Sequence, residues 1–140
     1  MQGQYTAVVY GLIRQQRYQE AVAILSAEQQ KHPASRAALS LLGYCYFHMQ
    51  DFPAAAATYE ALLGVCPDVE EYRVYLAQAL YKAGCYQEAT RAAARVQSPR
   101  YARRMLLLRV GRVGWVGLVA VRRRTQQMVH YVDSYAMELI

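Results

Sequence analysis

Three short strings recur at a fixed interval: Arg17-Tyr-Gln-Glu-Ala21, Asp51-Phe-Pro-Ala-Ala55 and Cys85-Tyr-Gln-Glu-Ala89 start 34 residues apart, each with an aromatic three residues before an alanine. A period of that length constrains the fold more than composition does, because each unit must be one supersecondary element that buries its apolar face only against its neighbours. Pro33 and Pro67 keep the interval, and Pro99 comes two residues early. Between the markers, apolar residues fall at helical spacing, as in Leu39, Leu42, Gly43 and Tyr46, and again in Val69, Tyr72, Leu76 and Leu80. Each unit therefore reads as two helices: 4–16 with 18–31, 35–48 with 53–64, and 69–83 with 86–97. The prolines fall at the handovers between hairpins, where a missing N–H costs least. The expected architecture is all-α. A solenoid of three hairpins occupies residues 1–104, with repeats 2–34, 35–68 and 69–101, and a basic, poorly patterned tail fills 105–140.

Within the repeats, Leu42-Gly43, Tyr46, Ala55, Tyr59 and Pro67 stand in an order and spacing that resembles the tetratricopeptide repeat. The first unit departs from it with Val9 in place of the glycine, and the third with Ala77. Small residues at Gly43 and Ala55 allow two helices to approach closely, while Leu42, Tyr46 and Tyr59 fill the space around them.

Longer strings are more specific. YTAVVYGLIRQQRYQEAVAIL, SRAALSLLGYCYF and EEYRVYLAQALYKAGCYQEATR are similar to the N-terminal end of the tetratricopeptide repeat protein 30 family, from about Tyr5 to Leu108. That resemblance implies a non-catalytic, protein-binding scaffold of intraflagellar transport complex B. It implies ciliary assembly, anterograde transport along the axoneme, a part in tubulin polyglutamylation, location in the cilium, and other subunits of that complex as partners. It also implies that the family's superhelix is several times longer than this chain.

In such repeats the concave groove is lined by equivalent positions of successive first helices. Here these are Thr6, Ser40 and Val74; then Tyr10, Tyr44 and Gln78; then Ile13, Phe47 and Tyr81; then Arg14, His48 and Lys82. The expected partner-binding residues are Tyr10, Arg14, Tyr44, Phe47, His48, Gln78, Tyr81 and Lys82. An aromatic strip beside a basic column suits a helix or extended segment with apolar anchors and flanking carboxylates. Aromatics at helical spacing serve equally well as core, and that alternative stays open for Tyr44 and Phe47. The Lys and Asn arrangement that grips a C-terminal carboxylate is missing from these columns.

Chemistry leaves little trace. His32, His48 and His130 are scattered, and no metalloprotease, nucleophile-elbow or phosphate-loop motif occurs. Cys45 and His48 share a helix side, but no third group orients them, so a structural Cys and a groove His are expected in place of a catalytic pair. No enzyme activity, metal, cofactor or small-molecule substrate is implied. Cys45, Cys66 and Cys85 are odd in number and lack paired spacing, which reads as reduced thiols.

The net charge of +6 is concentrated, with Arg100, Arg103, Arg104, Arg109, Arg112, Arg122, Arg123 and Arg124 supplying half of the sixteen basic residues. After Leu108 the repeat markers stop, and Gly111, Gly114 and Gly117 enter what should be a helix, each costing ~1 kcal/mol relative to alanine. The tail thus reads as unrelated to the repeats, as an alternative reading frame or a retained intron would leave it. Its apolar run, Val113 to Val121, is about half the ~20 residues a spanning helix needs. The first residues carry no secretory pattern, and Gln2 stands where a myristoylation site needs glycine. Two other functions stand beside the ciliary one: a generic repeat adaptor outside the cilium, and a basic binder of nucleic acid or membrane surfaces through the tail, against which a solvated basic tail with no defined partner is the expected case. Without a polar terminal cap, the open end of the stack also invites self-association.

Overall fold

The computed structural model describes residues 2–109, and the run of glycines and arginines beyond them, with the tail reading that rests on it, lies outside the described residues. Among the described residues, seven α-helices follow one another: α1 Gln2–Arg14, α2 Tyr18–Lys31, α3 Arg36–His48, α4 Phe52–Val65, α5 Glu70–Lys82, α6 Tyr86–Ala94 and, after a 3-10 turn Pro99–Tyr101, α7 Ala102–Arg109. Each helix packs on the next in order, giving an all-α stack of hairpins as the period requires.

The turn inside each hairpin repeats to the atom. Arg17, Asp51 and Cys85 donate their N–H to the carbonyls of Leu12, Tyr46 and Leu80, and Gln16, Gln50 and Gly84 donate theirs to Ile13, Phe47 and Tyr81. This is the Schellman pattern, which needs a left-handed residue just past the helix. Gln16, Gln50 and Gly84 supply it with φ of 59°, 63° and 84°. Only the third turn uses glycine, the residue that adopts this conformation without steric cost. The second helix of the middle hairpin starts on Asp51, whose carboxylate accepts from Ala54 N at 3.4 Å, and Ser35 caps α3 by accepting from Ala38 N at 3.3 Å.

Repeat-equivalent alanines Ala21, Ala55 and Ala89 are fully buried, as close helix approach demands. Gly43 shows why the middle unit needs a glycine: a Cβ built there would lie 2.7 Å from Cε1 and Cζ of Tyr59. The first and third units place smaller residues opposite, Leu25 and Ala93, and these share core clusters with Val9 and Ala77. The departures at Val9 and Ala77 are therefore matched by their partners.

Two expectations change. Helix α6 stops at Ala94 instead of 97, because Pro99 arrives early and forces Ser98 into an extended conformation at ψ 129°. The freed N–H groups of Gln97 and Ser98 are taken by the Glu70 carboxylate. The repeat body also does not end at 104. Met105 and Leu108 are buried with Val74, Ala77, Val96 and Tyr101, and Thr90 Oγ1 donates to the Leu108 carbonyl at 3.0 Å. The limit expected at 104 falls inside α7, which continues the core.

Candidate functional site

The columns expected to line a groove sit on α1, α3 and α5, and their surroundings divide them. Tyr10 is 47% exposed, and Arg14 is exposed one turn further along α1. Tyr44 is half-buried, and His48 is exposed and in ring contact with two tyrosines. Its ring lies 5.6 Å from Tyr18 at 17° and 4.2 Å from Tyr44 at 46°. Tyr18, Tyr44 and His48 thus come together as one aromatic face across the first and second hairpins, with Tyr10 at the equivalent position of α1.

Phe47 meets this face only from beneath, through an edge contact with the His48 ring at 6.1 Å and 72°. It is 6% exposed, and its ring meets Phe52 edge-on at 5.1 Å and 73°. One period later Tyr81 meets Tyr86 in the same way, at 5.3 Å and 70°. Phe47 and Tyr81 therefore pack against the aromatic of their own hairpin's marker string, which makes Phe47 a core residue and leaves Tyr81 half-buried. In the first hairpin the column holds Ile13, and the marker aromatic Tyr18 stacks on His48 instead. Tyr18 is the site residue that sequence columns missed, although its place in the marker string was a signal.

Gln78 departs in another way. It is 3% exposed, and its Oε1 has no hydrogen-bond partner, whereas a free groove position was expected. Its neighbour one turn back, Val74, is fully buried in the cluster that α7 completes. A buried acceptor without a donor costs about 1–3 kcal/mol. Replacing Gln78 by Leu is expected to raise the unfolding free energy by about 1 kcal/mol, read from a urea melt; an unchanged or lowered midpoint would show that the amide is satisfied. Lys82 is half-buried at the end of the same helix.

Burial lowers the His48 pKa below its ordinary 6.5 and raises that of Tyr44. With the folded value below the unfolded one, the folded state binds fewer protons, so stability is full above pH 6.5 and declines as pH falls through the folded value. The melting temperature is expected to drop between about pH 7 and pH 5, and the drop to shrink in His48→Gln. Equal profiles for both chains would remove His48 from the account.

The Cys45 thiol is fully buried, and burial pushes its pKa up to about 11. A thiol protonated throughout the neutral range is a poor nucleophile, and it forms no hydrogen bond with His48. Among the described residues no cluster of three His, Cys, Asp or Glu side chains could hold a metal, and no helix is long and apolar enough to cross a membrane. The arrangement offers a surface for binding; among the described residues it contains no assembled acid, base or nucleophile.

Known proteins share this pattern. A family model described as intraflagellar transport protein 56 matches residues 39–113, just over half of the chain. Intraflagellar transport protein 70B of Rattus norvegicus is 57% identical over 106 residues, covering 76% of this chain and 16% of that protein. Intraflagellar transport protein 70A of Xenopus tropicalis is 48% identical over 127 residues, covering 90% of this chain and 20% of that protein. The chain thus spans a fifth or less of these relatives. Among solved structures, the Yersinia enterocolitica type III secretion translocator chaperone SycD superposes with a TM-score of 0.63, covering 88% of this chain and 86% of its own, at 12% identity. That likeness is one of fold.

Proposed function

Because the chain belongs to the intraflagellar transport protein 70 family, we propose that it is a protein-binding scaffold segment of intraflagellar transport, acting in the cilium within complex B. The family model carries the number 56 and the relatives the number 70; identity of 57% over 76% of the chain decides for the second. It is the family that the sequence strings resembled as tetratricopeptide repeat protein 30.

The observation that carries this reading is that identity, held over 106 residues. The aromatic face of Tyr10, Tyr18, Tyr44 and His48 beside Arg14 supports protein recognition, since rigid aromatics give contact area at low entropic cost and a rim cation steers acidic partners. Catalysis has no support in the site: its cysteine is buried and its histidine has no orienting partner. Involvement in tubulin polyglutamylation is the finer reading that the family resemblance brings, through assembly of the transport machinery and not through chemistry on this chain.

Capture of purified complex B subunits by the full chain tests the proposal, at low and at moderate salt. Retention at both salts is expected, and truncating Tyr44 to Ala is expected to weaken it by ~10-fold or more, as loss of an aromatic anchor does. Capture that disappears entirely at moderate salt would shift binding to the arginine-rich tail and sink the groove reading.

A further inference from the structure

Between α4, α5 and α6 lies a cavity of about 220 Å³, on helix faces other than those carrying the aromatic site. Leu63, Leu76, Leu80 and Ala92 form its apolar lining, all half-buried. Five charged groups open onto it: Arg73, Arg91 and Arg95 against Glu60 and Glu88.

Subtracting the repeat separates scaffold from departure. The positions 34 residues before these five charges are Ser26, Leu39, Ala54, Ala57 and Ala61, none of them charged. The fold therefore does not require charge there; the equivalent place between α2 and α4 is built without it. The charged groups also have little to do with one another. Among the described residues the ion pairs are Arg17 with Glu20 and His32 with Glu28, and neither reaches this cavity. Arg73 donates one bond, to the Pro67 carbonyl at 3.2 Å. Arg91 and Arg95 stand at the C-terminal end of α6, where the helix dipole favours a cation, but Arg73 stands in the first turn of α5, the unfavourable end.

The hairpin is antiparallel, so the start of α5 lies beside the end of α6. Arg73, Arg91 and Arg95 thus gather at one end of the cavity, and Glu88 falls at the other, next to Leu80. Three guanidiniums oppose the carboxylates of Glu60 and Glu88 around an apolar floor, an excess of one positive charge in the lining.

We propose that this cavity is a second docking site, for an acidic peptide segment that lays one apolar side chain on Leu76 and Leu80 and directs adjacent carboxylates to Arg91 and Arg95. Arginine forks match carboxylates bidentately, and the half-buried floor keeps water from screening them fully. The inference does not depend on the identity of the partners at the aromatic face.

The test uses the full chain and a short fluorescein-labelled peptide of glutamates around a single leucine, with anisotropy as the readout. Arg91→Glu with Arg95→Glu is expected to raise the Kd about tenfold, a loss the size of one charge-assisted contact. Arg122→Glu with Arg123→Glu and Arg124→Glu, in the basic tail, is expected to leave it unchanged. A peptide with serine for leucine should bind more weakly than the parent. No binding by the unaltered chain overturns the proposal, as does equal binding after the Arg91 and Arg95 reversals, or a loss produced by the tail substitutions instead. Circular dichroism of each variant separates loss of binding from loss of fold, and Arg91 and Arg95 are both exposed.

Discussion

Gly43→Val is expected to lower the unfolding free energy by about 3 kcal/mol and the melting temperature by roughly 10–20 °C. A single added carbon there already meets the Tyr59 ring at 2.7 Å, and the ring is 3% exposed within a packed core, so it has nowhere to retreat. Tyr59→Leu alone should cost about 2–4 kcal/mol through the cavity it opens. Combining the two recreates the Val9 and Leu25 pair of the first hairpin, and the double variant is expected to be more stable than the sum of the single losses by about 2 kcal/mol. Additive losses would show that the three hairpins do not solve the same packing problem with complementary sizes. Gly11→Ala provides the control, because a Cβ there meets nothing within 4 Å, and helix propensity alone should yield a gain of about 0.5–1 kcal/mol.

The second large effect concerns the end of the described repeats. A chain ending at Arg104 is expected to be less stable than one ending at Arg109 by about 3–5 kcal/mol, measured by chemical melts of both. Met105 and Leu108 are buried side chains worth about 1.5–3 kcal/mol each, and removing them strips the cover from Val74, Ala77 and Tyr101. Thr90 would lose its bond to the Leu108 carbonyl as well. Hydrogen exchange should then accelerate in α5 and α6 while α2 and α3 stay protected, because a stacked repeat array transmits support only to neighbours. Coincident melts would return α7 to the status of an appendage.

The period of 34 made the hairpins, the close-packed alanines and the turn positions legible from the sequence. It placed the turns without revealing that Gln16 and Gln50 take the left-handed conformation, since glutamine has no preference for it and is held there by the two carbonyl bonds around it. The columns located the aromatic face at Tyr10, Tyr44 and His48, but a column states only which side of its own helix a residue occupies. What covers that side belongs to the next element. Phe47 is covered by Phe52 of the same hairpin, and Gln78 is buried on the helix whose Val74 is covered from α7. The limit at 104 was missed for a related reason: the composition changes to arginine there, yet Arg103 and Arg104 alternate with Met105 and Leu108 at a spacing that still buries one side of a helix.

The three thiols form a graded set: Cys85 is exposed, Cys66 is half-buried, and Cys45 is sealed between the first two hairpins with its pKa raised to about 11. Oxidants and alkylating reagents therefore meet them in that order, and the last can be reached only while the stack is open. Cys45 makes the chain carry its own clock of breathing, in which the rate of covalent marking at a single sulfur counts how often two neighbouring hairpins part.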